Sequence, residues 1–179
     1  MSELSKTIAL KALKKLDSLL EAKRHSKIRL IVGGGSAMVL AHNFPGQTDH
    51  VDSIATIDFS ELSDDILQVA KEFGLSGDWL NPYYSSYAHY PPGNYDSRLI
   101  QVLQGSVISV EALGVEDLLI MKLMAGRAKD MKHIRFLFHK KVDLSVIDKR
   151  LAQLKTISPK EALNALDLFD DLKEELGVE

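Results

Sequence analysis

The sequence predicts an α/β (α+β) fold, a small mixed sheet with a helical C-terminal half. Three observations carry this. Up to residue 74, β-branched apolar runs alternate with stretches of helical spacing. RLIQVL and SVISV, separated by Gln104 and Gly105, read as a hairpin. From Val115 onward an apolar helix and three amphipathic ones follow one another. With 179 residues, 45% apolar and 26% charged, the chain can bury a real core. The expected organisation is one domain, composed of an N-terminal helix (1–27), a core (28–126) and a C-terminal helical region (127–179).

The first element, from Leu4 to about Lys23, sets Ala9, Leu13, Leu16 and Leu20 on one helical stripe and lysines elsewhere. IRLIV (28–32) is a short strand that stops at Gly33, Gly34 and Gly35. SAMVLAH then reads as a helix with Ser36 as N-cap. A second strand is expected around Val51 to Ile57. Ser63, Asp64 and Asp65 open the helix DDILQVAKEF, which Gly74 ends. Residues 79–97 form a long loop with three prolines and all five tyrosines. After the hairpin, VEDLLIMKLMA is apolar nearly all round, hence a buried helix, with Glu116 and Asp117 in the first turn where the macrodipole favours them. Helices near 127–140, 145–155 and 159–176 close the chain. The last begins SPKE, with Ser158 as N-cap, Pro159 at the first helical position and Glu161 completing a capping box.

Composition excludes several classes. No cysteine occurs, so neither a disulfide partner nor a thiolate zinc site is available. The N-terminal MSELSKTIALKALKKL lacks the uncharged core of a signal peptide, and no apolar run approaches the roughly 20 residues of a membrane span. The expectation is a soluble, cytoplasmic protein with no membrane contact. Charge is segregated: residues 1–30 carry eight Lys/Arg against three acids, 122–141 seven against one, and 158–179 two against seven. Such regions are either solvated helix faces or a positive surface for a phosphate-bearing ligand. The acidic tail and a sequence pI near 6.1 argue against a dedicated nucleic-acid binder.

Three glycines after a strand let the backbone turn sharply into a helix and let another group approach its N–H atoms. The spacing fits neither a P-loop nor the dinucleotide fingerprint. Farther on, in QTDHVDS, His50 and Asp52 alternate on one face of the starting strand.

Together these residues resemble the nucleotidyltransferase-like (polymerase-beta-like) superfamily, in particular small bacterial proteins of a toxin- or defence-related type. Their pattern is GGG-x-A, T-x-D-I-D, L-x-x-D-W-L-N and E-D-L-L-x-M-K-L-x-A-x-R-x-x-D-x-x-D-I. This chain supplies Gly33 to Ala37, then Thr48 to Asp52, then Leu75 with Gly77, Asp78, Trp79, Leu80 and Asn81. Glu116 to Ala125, Arg127, Asp130, His133 and Ile134 complete the match, over roughly residues 28–137. The resemblance implies a nucleotidyltransferase-type fold that moves a nucleoside monophosphate from a nucleoside triphosphate to a protein or RNA acceptor. It implies that Gly34, Gly35 and Ser36 contact phosphate. It also implies magnesium, held by paired carboxylates that activate the attacking hydroxyl and neutralise the leaving pyrophosphate.

Two positions depart from the pattern. His50 stands where the family has the first aspartate of D-x-D, and His133 where it has the second of D-x-x-D. The metal positions are then Asp52 and His50. An imidazole suits magnesium poorly and manganese or another divalent metal better. A gapped match of ATIDFS would instead make Asp58 the first carboxylate, but it lengthens the spacing and also loses a carboxylate. The alternative function is a catalytically inactive nucleotide-binding or regulatory relative, for example one half of a toxin–antitoxin or defence pair. Lys122, the one charge within Leu118–Ala125, reaches a phosphate, pairs with an acid, or snorkels to the helix edge. Arg127 and Asp130 form a salt bridge at i,i+3 or, as the resemblance implies, face the nucleotide cleft. Lys122 and Arg127 are candidate nucleotide contacts, and Thr48, Asp49, Asp130 and His133 second-tier site residues.

Overall fold

In the computed structural model, which describes residues 4–178, the Ser5 side chain accepts the Ile8 N–H at 3.3 Å and opens α1 (Lys6–Ala22). Leu4, expected inside that helix, instead bridges Thr48 in an antiparallel pair, its N–H reaching Thr48 O at 2.7 Å. The elements that follow are β1 (Ile28–Val32), α2 (Gly34–Leu40), β2 (Val51–Ala55), α3 (Ser63–Phe73), β3 (Leu80–Asn81), β4 (Ile100–Gln104), β5 (Ile108–Ala112), α4 (Val115–Ala125), α5 (Met131–Phe138), α6 (Leu144–Leu154) and α7 (Pro159–Leu176). The chain divides into two units, residues 4–86 with 99–113 and residues 87–98 with 114–178.

The first unit is a five-stranded mixed sheet in the order β3-β2-β1-β5-β4. β1 runs antiparallel to β2 and parallel to β5, β2 pairs β3 in parallel, and β4 returns antiparallel on β5 with an irregularity between Gln101 and Leu103. The predicted stripe of α1 is its buried face: Ala9, Leu13, Leu16 and Leu20 are fully enclosed and α1 packs on α3. Each such leucine contributes about 2 kcal/mol of burial. The one acid among the buried residues of α1, Asp17, is held by the hairpin. Its carboxylate accepts the N–H groups of Ser106, Val107 and Ile108 at 2.9, 2.8 and 2.7 Å. α3 ends at Gly74, left-handed as expected. Trp79 is fully buried and donates its indole N–H to Ile66 O at 3.1 Å.

The second unit is built on α4. Eight of its eleven residues are buried, and it packs against α5, α6 and α7. Its first-turn Asp117 is fully buried and accepts Arg98 Nε at 3.0 Å and Nη2 at 2.7 Å, a planar two-point pair that satisfies the buried charge.

Three local expectations are corrected. α2 does not start at Ser36: Gly34, at φ 58°, turns the chain directly out of β1, so Gly33 takes the cap position. The helix expected at 127–140 is a 3-10 turn, Ala128–Asp130, followed by the shorter α5. The capping box of α7 is absent. Ser158 occupies the N-cap at ψ 72°, unlike the extended ψ 160° of Ser5, and its own N–H, the target of a Glu161 carboxylate, donates to Leu154 O at 2.8 Å.

Candidate active site

The glycine turn joins the end of β1, the start of α2 and the middle of β2. Gly33 N–H donates to Asp52 O at 3.1 Å, Ser36 Oγ donates to Gly33 O at 2.7 Å, and Asp52 N–H donates back to Ser36 Oγ at 3.2 Å. Ser36 is fully buried and its hydroxyl is engaged both ways, so it fixes the backbone of Asp52. The glycines are there for different reasons. A side chain at Gly33 would collide with the Tyr84 ring, 2.6 Å from a Cβ. Gly34 needs its positive φ, and the Asp52 carboxylate lies 3.5 Å from where its Cβ would be. A left-handed residue leading into helical backbone turns successive N–H groups toward one point, and the first amides of a helix have no preceding carbonyl to take them. The turn is therefore a cradle of N–H donors with a carboxylate beside it.

His50 lies just before β2 rather than in it, and its Nε2 is 3.5 Å from Asp78 Oδ2. Asp78 in turn accepts a short bond from the Ser76 hydroxyl, which holds its carboxyl below the ordinary value against a smaller opposing effect of burial. Thr48 donates to His50 O at 3.0 Å, and Asp49 is exposed. Asp58 stands beyond the strand, capping a 3-10 turn (Phe59–Leu62) by accepting Ser60 N–H at 2.8 Å. In the sequence Asp78 is one residue of the D-W-L-N stretch and carries no role of its own. Nothing in the local sequence joins it to a histidine 28 residues earlier.

In the second unit the remaining predicted residues form one knot. Lys122 is 2% exposed and donates to Asp130 Oδ1 at 2.6 Å. Arg127 Nε donates to Asp130 Oδ2 at 2.7 Å, and its guanidinium lies 5.9 Å from the centre of the Tyr87 ring. His133 Nδ1 sits 3.1 Å from Lys122 Nζ and 3.4 Å from Asp130 Oδ1. Burial would raise the Asp130 carboxyl, but His133, Lys122 and Arg127 together hold it well below its ordinary range. Burial pulls the Lys122 ammonium down, and Asp130 opposes this. Lys122 thus pairs with an acid inside the unit and does not snorkel.

Over residues 11–175 the sequence matches the family described as nucleotidyltransferase of unknown function (DUF6036). The chain belongs to this nucleotidyltransferase family. Neither comparison with curated proteins nor comparison with solved structures returns a match. Among the described residues no helix is long and apolar enough to cross a membrane.

The resemblance to polymerase-beta-like nucleotidyltransferases implies a divalent metal, and the donors here fit one only in part. Near the glycine turn they are one carboxylate, Asp52, and one imidazole that already faces Asp78. Among the described residues no three His, Asp or Glu side chains group as a metal site. Magnesium takes six oxygens and keeps water readily. Such a donor set suits a cation shared with a ligand's phosphates rather than a pair of ions held by the protein.

Proposed function

We propose that the chain binds a nucleoside triphosphate with its divalent cation, the phosphates on the N–H groups of Gly34, Gly35 and Ser36 and the cation on Asp52. The observation that supports this is the 3.5 Å between the Asp52 carboxylate and the Gly34 Cβ position. A carboxylate that close to the donors repels a bare triphosphate and favours one that arrives with magnesium or manganese. The bound cation supplies charge neutralisation for in-line displacement. The protein supplies orientation: Ser36 and Gly33 clamp the Asp52 main chain, so its carboxylate stays aimed as the ligand enters.

In this reading transfer of a nucleoside monophosphate to a protein or RNA acceptor is slow with magnesium, because His50 occupies the place of a bridging carboxylate. The contact of His50 with Asp78 favours a second reading, a regulatory relative that keeps nucleotide binding and has lost transfer, as in a bacterial toxin–antitoxin or defence pair. Either role belongs to the cytoplasm, where nucleotides are. Thermal unfolding with ATP, GTP, CTP and UTP, each with and without magnesium or manganese, tests the proposal. The expected result is a raised melting temperature with at least one metal–nucleotide, abolished by Gly35→Val, whose side chain meets Thr48 Oγ1 and obstructs phosphate approach. No shift with any of them removes the proposal. Transfer of labelled nucleotide to RNA or protein separates the two readings.

A further inference from the structure

Within the second unit, rings and cations meet at one surface. The loop at 87–90 closes on itself, Tyr90 N–H donating to Tyr87 O at 3.1 Å, and this gathers three rings. The centroids of Tyr87 and Tyr90 are 6.1 Å apart, those of His89 and Tyr90 4.2 Å. Arg150 of α6 holds the loop's main chain, its Nε donating to Tyr90 O at 2.7 Å and its Nη2 to His89 O at 2.8 Å. Tyr87 and His89 remain exposed. Rings on a backbone fixed in this way form a stacking platform.

Cations border the platform. The Arg127 guanidinium lies 5.9 Å from the centre of the Tyr87 ring, at the outer limit of a cation–π contact. Asp130 takes its Nε at 2.7 Å, and among the described residues no acceptor takes its terminal nitrogens. Lys129, in the 3-10 turn Ala128–Asp130, is exposed and pairs with no acid among the described residues. Burial lowers the Lys122 ammonium most, and the charges of Arg127 and Lys129 lower it further, so three cations stand around one buried acid, Asp130. The surplus positive charge is therefore at the surface, beside a ring. An unpaired nucleic-acid strand presents both complements, base faces and phosphates, whereas a duplex hides its base faces in the stack. An acidic peptide would meet the cations and leave the rings unused. A single base covers one ring face, so two exposed rings suit consecutive bases.

We propose that this surface seats a single-stranded RNA, the acceptor of the proposed transfer, with a base on Tyr87 and phosphates on Arg127 and Lys129. The inference deepens the transfer reading, and its test uses no nucleoside triphosphate. Fluorescence anisotropy of the full chain with a short labelled RNA, single-stranded and as a duplex, is the measurement. The single strand is expected to bind about tenfold tighter, although a merely positive surface would favour the duplex with its denser phosphates. Log affinity should fall with log salt at a slope of about −1.4 for two phosphate contacts. Tyr87→Ala should weaken binding about tenfold and Tyr87→Phe hardly at all. Arg127→Ala, which breaks only an exposed ion pair, should halve the slope. Lys11→Ala, on the solvent side of α1, should change nothing. Equal affinity for the duplex, an equal loss with Lys11→Ala, or displacement of the RNA by polyglutamate overturns the inference. So does no binding at all. The melting shift with metal–nucleotide is read separately, so nucleotide binding stands or falls on its own.

Discussion

Asp130 is a buried acid with three basic neighbours, and their removal should not cost the same. Lys122 is enclosed and makes the 2.6 Å contact, whereas Arg127 is 43% exposed at its side chain. Lys122→Met is expected to destabilise by about 3 kcal/mol, since it leaves a buried carboxylate short of a partner. Arg127→Ala should cost less than about 1 kcal/mol, the screened value of an exposed pair. Urea midpoints at constant m would check the ordering, and equal losses would show that Lys122 is not the anchor. At position 50 the opposite manipulation is informative. His50→Asp would put a second acid beside Asp78 and two residues before Asp52, so without metal the protein should be less stable through like-charge repulsion. Magnesium should then raise the melting temperature of the variant and hardly that of the parent, as a scan in magnesium against one in EDTA would reveal.

The contact between α1 and the β4–β5 hairpin makes an element-scale prediction about pH. Burial would raise the Asp17 carboxyl, but the N–H groups of Ile108, Val107 and Ser106 outweigh it and leave the pKa lowered. A depressed acid stabilises the fold above its unfolded value, about 3.9, and loses that contribution as pH falls through the lower folded value. Asp17→Ala should therefore cost about 3 kcal/mol near neutral pH, where three turn N–H groups lose a charged acceptor. Its deficit should shrink progressively below pH 4. A deficit that stays constant from pH 7 to pH 2 would mean that Asp17 acts by shape alone. α2 is short and begins on a left-handed residue that glycine adopts without strain, so Gly34→Ala should cost about 1–2 kcal/mol for left-handed backbone, before any effect on ligands.

At the scale of the whole molecule, ligand binding and stability are linked. A triphosphate at a hundred times its dissociation constant should stabilise the native state by about 2.7 kcal/mol, and binding should weaken as salt screens the phosphates. Hydrogen exchange with and without metal–nucleotide would localise that protection. Phosphate binding at the glycine turn puts it at residues 33–37 and around Asp52 in the first unit. Protection spread evenly over the lysine-rich surfaces would instead mark a diffuse attraction. The formal charge of −3 makes such an attraction weak in any case.

What the sequence determined by itself was periodic or punctuated: the IRLIV strand, the stripe of α1, the hairpin, the buried α4, the glycine that ends α3, and the order of the family motifs. Burial follows local spacing, and spacing is written along the chain. β3 is illegible in the sequence because two residues in a loop of prolines and tyrosines have no period, and only β2 alongside makes them a strand. The same holds for the side chains. Ser36 looked like a cap and is the clasp of Asp52, and Asp17 finds its donors up to 91 residues away. Lys122 had three open fates until the turn after α4 brought Asp130 back to it. A charge buried in an apolar helix demands a partner, but which partner it takes is set by distance in space, and that is decided only when the chain has folded.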